Sequence, residues 1–167
     1  MDVLAHALWT NLLFAEAPLP VRATAIALSV LPDLIPFTPT AVSQFVKRKR
    51  GSADEKRQHQ RPEDMVFSRW AYRAYDVTHS LFVWSAAFAV CYWIMQSVPW
   101  ALFGWLGHIL VDIPTHTRAF FGTPIFWPFS NYKYDGISWG ERWFMRLNYG
   151  GIVVMYAYYI ATRYLLN

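Results

Sequence analysis

Residues 77–112 of the chain read VTHSLFVWSAAFAVCYWIMQSVPWALFGWLGHILVD, and this stretch decides the fold. It contains no Asp, Glu, Lys or Arg before Asp112. One membrane crossing needs about 17–25 apolar residues, so residues 77–111 are long enough for two tight crossings. We predict a helical hairpin that turns near Pro99 and returns Asp112 to the level of His79.

The rest of the chain extends this pattern. Shorter apolar segments lie at residues 3–15, 23–37 and 147–162, and only 16% of all residues are charged, against roughly 25% in soluble domains. No strand-like alternation or internal repeat is present. We predict one all-α domain over residues 1–167, a membrane-embedded bundle of about five to six helices built from antiparallel hairpins. A soluble all-helical domain with a very apolar core remains the alternative.

Proline and acidic residues suggest where the other helices begin and end. Prolines separate the first two apolar segments and are expected to end the second one at Pro32, Pro36 and Pro39. A third helix is predicted from Pro62-Glu63-Asp64 to about Asp76. Residues 119–140 are rich in Gly, Pro and aromatic residues and predict an irregular interfacial segment, after which Glu141-Arg142 begins the last helix.

Basic residues are concentrated in residues 47–61, which hold seven of the fifteen in the chain. This segment is predicted to be a connector loop, and short basic loops stay on the cytoplasmic side of a membrane. The prediction is therefore a bacterial-type inner membrane protein whose site lies at the cytoplasmic face, near anionic headgroups. No nucleic-acid partner is expected, because the basic residues are not interleaved with aromatic ones.

Metal-capable side chains recur at one end of the predicted hairpins. His108 and Asp112 are four residues apart and share a helix face, and His116 follows four residues later. His6, Asp33 and His79 stand at the ends of other apolar segments. A buried carboxylate without a partner is costly, and imidazoles mixed with carboxylates suit zinc, with manganese as a second choice. Asp2 has three possible roles: ligand, carboxylate that orients His6, or helix N-cap.

Several short motifs together resemble the membrane-bound, LexA-regulated (YdjM-like) metal-dependent hydrolase family. This family is distantly similar to the zinc phospholipase C and three-zinc nuclease superfamily of all-helical phosphodiesterases. The resemblance covers most of residues 1–130 and rests on five motifs, Met1-Asp2-x-x-Ala5-His6, Leu31-Pro32-Asp33, Thr78-His79-Ser80-Leu81, Gly107-His108-x-x-x-Asp112-x-x-Thr115-His116 and Gly122-Thr123-Pro124-x-x-Trp127-Pro128.

The resemblance implies a ligand set. One metal would be held by Asp33, His79, His108 and Asp112, with His6 and Asp112 contributing to a second, and His116 would match the first ligand of a further site. The chain departs from the superfamily here, because no downstream HxxxD or HxxxE pair follows and only Asp135 and Glu141 remain as acidic candidates. The superfamily also uses the amine of a processed chain, and no processing is evident, so we expect one or two ions.

The predicted function is metal-assisted hydrolysis of a phosphoester in a phospholipid or lipid-linked substrate. Metal-bound water has a pKa near 7, and Asp33 and Asp112 are the candidates for a catalytic role. The substrate phosphate is assigned to Arg118, Lys133 and Arg142, each of which would equally serve as an interfacial anchor. Two alternatives stay open: a membrane protein with a structural metal or polar core, and a haem protein ligated by His79 and His108. The oligomeric state is left open.

Overall fold

A computed structural model describes residues 1–50 and 67–165 and confirms an all-helical chain. No strand is found in these residues. The elements in chain order are α1 Val3–Leu13, α2 Leu19–Arg50, α3 Arg69–Thr78, α4 Leu81–Met95, α5 Leu102–Thr115 and α6 Arg142–Ile160, followed by a π-helical turn, Ala161–Leu165.

Helix α2 corrects the prediction that prolines end the second helix, because all three lie inside it. A proline has no N–H, so Pro36 leaves the carbonyl of Pro32 without its intrahelical donor. The hydroxyl of Thr78 lies 3.2 Å from that carbonyl and 2.9 Å from the carbonyl of Ala74, so its one proton is shared between the two acceptors. Neighbouring α3 thus provides a partial donor for the carbonyl of Pro32.

The same helix continues to Arg50, so the predicted basic connector begins later than residue 47. Residues 41–50 contain neither Gly nor Pro, and Lys and Arg are good helix formers. Nothing in this run stops the helix. The remainder of the predicted connector, residues 51–61, lies outside the described residues.

Helix α3 begins at Arg69, and the helix start predicted at Pro62-Glu63-Asp64 lies outside the described residues. Ser68 is its N-cap, and the Ser68 hydroxyl accepts a hydrogen bond from the backbone N–H of Ala71. The helix stops at Thr78, and Ser80 caps the start of α4 in the same way. The two helices are bent by 57° at this break, and the break carries His79.

The predicted hairpin is present as α4 and α5, joined by residues 96–101. The two helices have 15 and 14 residues, fewer than the about 17–25 of one crossing. Among the described residues one helix is long and apolar enough to span a membrane, over Leu19–Ser43 of α2. The bent pair of α3 and α4 would be a second if it forms a single span.

Close packing of α2 against α5 sets the geometry of the interior. A Cβ atom on Gly104 would lie 2.2 Å from the carbonyl oxygen of Ala25, so only glycine permits this approach. Ala25 is fully buried at the contact. The backbones of the two helices therefore meet, and residues one to two turns further along them, including Asp33 and His108, face the same space.

The segment between α5 and α6 is irregular over residues 119–138, as predicted. Part of it closes over the end of α5, because the N–H groups of Gly136, Ile137 and Trp139 donate to carbonyls of residues 114–116. Gly136 is required here, since a Cβ would lie 2.3 Å from the oxygen of Pro114. The last helix begins at Arg142 after Glu141, again as predicted.

Candidate metal centre

The structure brings together all six side chains that the sequence suggested as metal ligands. They come from the first turn of α1, the middle of α2, the break between α3 and α4, one face of α5 and the residue after α5. Each of the six residues as a whole is at most 5% exposed. The set is His6, Asp33, His79, His108, Asp112 and His116.

Asp112 lies at the centre of this cluster, and its two carboxylate oxygens face different neighbours. Oδ1 is 3.0 Å from Nε2 of His6 and 3.5 Å from Nδ1 of His116. Oδ2 is 3.2 Å from Nε2 of His108 and 3.5 Å from Nε2 of His79. On the far side of that pair, Asp33 Oδ1 is 3.5 Å from Nε2 of His79. The carboxylate of Asp112 therefore lies between two pairs of imidazoles. One pair is His6 and His116, and the other is His79 and His108.

Backbone carbonyls determine which nitrogen of His79 and His108 carries the proton. Nδ1 of His108 is 2.7 Å from the carbonyl oxygen of Ser29, and Nδ1 of His79 is 3.0 Å from that of Tyr75. A carbonyl only accepts, so Nδ1 is the protonated donor in both rings. Each neutral ring then has a lone pair on Nε2.

These lone pairs point into a space that contains only acceptors. The two Nε2 atoms are 2.9 Å apart, and Oδ2 of Asp112 is buried without a hydrogen-bond donor. Such a group is unfavourable unless a cation or a shared proton lies among its atoms. Ligand atoms of His6, Asp33, His108 and Asp112 all lie within 4.8 Å of one another. A zinc ion with bonds of about 2.0–2.2 Å fits this spacing.

Asp2 has the contacts of a helix N-cap, the third of its predicted roles. Its Oδ1 accepts hydrogen bonds from the N–H of Ala5 at 3.0 Å and from the hydroxyl of Tyr149 at 2.8 Å. Among the described residues no contact of Asp2 with the six clustered side chains is found. Asp2 thereby orients the helix that carries His6 and ties it to α6.

Four groups at the cluster were not suggested by the sequence. The amino group of Met1 donates to Oδ1 of Asp112 and, at 3.1 Å, to the hydroxyl of Thr115. The carbonyls of Ser29 and Tyr75 orient the two imidazoles. Thr115 belongs to the motif that contains His108, Asp112 and His116, and its place in that motif could have indicated that it lies at the cluster. Carbonyl directions follow from the packing of distant helices and have no sequence signal.

The residues predicted to hold a substrate phosphate are not part of the cluster. Arg118 and Lys133 are neighbours, because Nε of Arg118 donates to the carbonyl of Lys133 at 2.8 Å, and Lys133 Nζ is 3.8 Å from Asp76. Arg142 is exposed at the start of α6. None of the three contacts the six ligand-capable side chains within the described residues.

Neither acidic candidate for a further site at His116 contacts that ring within the described residues. Asp135 accepts a hydrogen bond from the backbone N–H of Arg118 at 2.8 Å, and Glu141 precedes α6. Burial lowers the pKa of His116 to about 4. His116 is therefore neutral at pH 7 and has a nitrogen lone pair available for a metal.

The same geometry disfavours the haem alternative. In a bis-histidine haem the iron and its macrocycle lie between the two ligating nitrogens. The 2.9 Å between Nε2 of His79 and Nε2 of His108 leaves no room for that group.

Comparison of the chain with protein-family models, curated protein sequences and solved structures finds no significant match. The chemistry of the site therefore has to be derived from its own side chains.

Proposed function

We propose that this chain is a membrane-bound, metal-dependent hydrolase that cleaves a phosphoester of a phospholipid or lipid-linked substrate. One observation carries the proposal. The buried Oδ2 of Asp112 has no hydrogen-bond donor and lies 3.5 Å from Nε2 of His79 and 3.2 Å from Nε2 of His108. A divalent cation is the group that would best compensate this arrangement.

The possible ligands form two groups, one on each side of the carboxylate of Asp112. A first ion would be held by Asp33, His79, His108 and Oδ2 of Asp112. Oδ1, together with His6 and His116, would contribute to a second. Nitrogen and oxygen ligands of this kind suit zinc best and accept manganese, so the expectation of one or two ions stands as part of the proposal.

A divalent ion lowers the pKa of the water it binds to around 7, which makes hydroxide available at neutral pH. Hydrolysis breaks the bond from phosphorus to the leaving oxygen, forms one to the oxygen of water and transfers a proton to the leaving oxygen. We assign the proton transfer to Asp33, because its side chain is 7% exposed. The side chain of Asp112 is fully buried and is assigned to holding the metal.

Two bands of exposed aromatic side chains support a position in a membrane. One band is formed by the starts of α3 and α6 and the segment after α5, and the other by the end of α4, the turn before α5 and the residues from the end of α6 onwards. Aromatic side chains are enriched at both interfaces of a bilayer. The first band contains Trp70, Tyr72, Phe129, Tyr132 and Trp143, and the second contains Tyr92, Trp93, Trp100, Tyr158 and Tyr164.

Exposed aliphatic side chains fill the space between the two bands. On α4 and α6 they include Val90, Val153 and Val154, and α4 has no ionisable residue besides Cys91 and Tyr92. A cluster near one aromatic band would meet a lipid phosphate while the acyl chains stay in the bilayer. Because the basic segment 47–61 begins in the last turn of α2, C-terminal to Asp33, we assign the cluster to the cytoplasmic face of a bacterial-type inner membrane.

The test is the metal content of protein purified in mild detergent, measured by elemental mass spectrometry. We expect one or two equivalents of zinc or manganese in the wild type and almost none in Asp112→Asn and His108→Ala. Asp135→Asn is the matched control, because that exposed carboxylate binds only a backbone N–H in the described residues, and it should retain the metal.

Phosphodiester and phospholipid substrates are then screened with the metal-loaded protein. Turnover that disappears in Asp33→Asn supports the hydrolase. A wild type that stays metal-free after reconstitution contradicts the proposal and leaves a polar core. A metal-loaded protein that hydrolyses no phosphoester favours a structural metal instead.

A further inference from the structure

His79 occupies an unusual position for a metal ligand, because it lies at the break between α3 and α4. His108 and Asp112 are held within a continuous helix, whereas His79 is the C-cap of α3 with φ −111° and ψ 14°. A side chain at such a break needs other groups to fix its ring. These groups are provided by Tyr75, one turn earlier.

Tyr75 holds the imidazole of His79 in two ways. The two rings are stacked with centroids 3.7 Å apart and an angle of 20° between their planes. The carbonyl of Tyr75 accepts the Nδ1–H of His79 at 3.0 Å. The stack sets the plane of the ring and the hydrogen bond sets its rotation, so Nε2 is directed at the cluster.

Tyr75 is itself anchored to the irregular segment between α5 and α6. It is 1% exposed, and its hydroxyl donates to the carbonyl of Phe121 at 2.6 Å. Phe121 has a φ of 52°, a left-handed conformation that is unfavourable for a non-glycine residue. Strain of this kind persists only where the surroundings enforce it.

An aromatic cluster around Phe121 enforces that conformation. Its ring centroid lies 4.8 to 5.3 Å from those of five others, and aromatic pairs at such distances are favourable. The five residues are Phe37, Phe67, Tyr72, Tyr75 and Phe120. They belong to α2, α3, the residues before α3 and the irregular segment.

We infer that Tyr75 is a positioning residue, which fixes Nε2 of His79 for metal binding through its hydrogen bond to the strained Phe121. This inference rests on the proposed metal centre. Partners of metal-ligating histidines typically contribute about 10–100-fold in metal affinity. Tyr75→Phe keeps the stack and removes only the anchoring hydroxyl.

The test compares Tyr75→Phe with Tyr72→Phe in detergent-solubilised full-length protein. Tyr72 lies on the same helix and stacks on the same Phe121 ring, and no hydrogen bond of its hydroxyl is found within the described residues. We expect Tyr75→Phe to bind zinc about 10–100-fold more weakly and to change the visible absorption spectrum of the cobalt-substituted protein. Tyr72→Phe should match the wild type in both. Thermal melting confirms that both variants are folded.

A second measurement does not need a metal. Nitrogen NMR of histidine-labelled metal-free protein reports the tautomer of His79, assigned with His79→Gln. The Nδ1–H form should dominate in all three proteins, because the carbonyl of Tyr75 is retained. The ring nitrogen signals of His79 should agree between the wild type and Tyr72→Phe and should shift or broaden in Tyr75→Phe, because the ring is then less firmly fixed.

The inference is overturned if folded Tyr75→Phe keeps the wild-type zinc affinity, cobalt spectrum and His79 ring nitrogen signals. A wild type that binds no metal contradicts the proposed function instead. The nitrogen NMR of the metal-free protein then tests the role of Tyr75 without a metal.

Discussion

At the scale of single residues, the carboxylate of Asp112 decides the chemistry of the cluster. It is fully buried and has imidazoles on both sides, with Nε2 of His6 at 3.0 Å and Nε2 of His108 at 3.2 Å. A carboxylate in an apolar interior is stable only when it is paired or bound to a cation. Asp33 and Asp112 were conspicuous in the sequence for this reason, since both lie among apolar neighbours.

The pKa of His116 predicts how the stability of the protein depends on pH. Burial lowers its pKa in the folded protein to about 4 from the model-compound value of 6.5. Between pH 6.5 and pH 4 the unfolded chain binds a proton at His116 and the folded chain does not. The free energy of unfolding is therefore highest, as far as His116 is concerned, above pH 6.5, and it falls as the pH is lowered towards 4. The shift corresponds to about 3 kcal/mol at most.

Metal-free wild type and His116→Gln are compared by denaturant unfolding in detergent at pH 7, 5.5 and 4. The free energy of unfolding should fall more steeply in the wild type, because the variant lacks the titrating ring. An equal pH dependence of the two proteins would show that His116 takes up its proton without cost in the folded state.

At the scale of elements, α2 is the helix on which the site depends. It continues through Pro32 and Pro36. The hydroxyl of Thr78 lies 3.2 Å from the carbonyl of Pro32, which has no donor within the helix because Pro36 lacks an N–H. Helix α2 also meets α5 at Gly104. These two contacts bring Asp33 towards His79 and towards the face of α5 that carries His108.

Gly104→Ala should therefore destabilise the protein and disturb the cluster. The added methyl group would lie 2.2 Å from the oxygen of Ala25, which is rigid backbone. Overpacking of this kind costs about 1–3 kcal/mol, occasionally more. Gly107→Ala is the control on the same helix, since no atom lies within 4 Å of its Cβ position and alanine favours a helix by up to about 1 kcal/mol.

Thermal and denaturant unfolding measure both variants, and zinc titration follows the cluster. We expect lower stability and weaker zinc binding for Gly104→Ala only. Equal stability of the two variants would mean that α2 and α5 separate easily and that their contact does not position the ligands.

At the scale of the whole molecule, the exposed surface is organised in layers. An aliphatic band is bounded by aromatic side chains at both ends, and α4 contributes exposed Ala86 and Val90 to it. In a soluble domain such a surface would promote aggregation. In a bilayer it would contact acyl chains.

The membrane position predicts resistance to alkaline carbonate extraction. The wild type should stay in the membrane pellet, whereas Ala86→Arg combined with Val90→Arg, two exposed positions near the middle of α4, should shift much of the chain to the supernatant, because each arginine costs about 2.5–3.5 kcal/mol at a helix centre. Tyr132→Arg, in the first aromatic band, is the control and should stay in the pellet. Release of the wild type by carbonate would instead support the soluble alternative.

The amino-acid sequence by itself determined the helical class, the turn between α4 and α5, the start of α6 and the identity of the six ligand-capable side chains. These features follow from local properties: apolar runs, helix-face spacing and the placement of caps and turns. The metal, the substrate and the membrane position stay predictions.

Only the tertiary structure decided that α2 continues through its prolines, that Asp112 joins two groups of imidazoles and that Asp2 caps a helix. It also decided the tautomers of His79 and His108, since the carbonyl of Ser29 lies 79 residues from His108 in the chain. The physical reason is common to all of these. Each depends on hydrogen bonds and close contacts between segments distant in sequence, and local patterns carry no information about which partners such groups will meet.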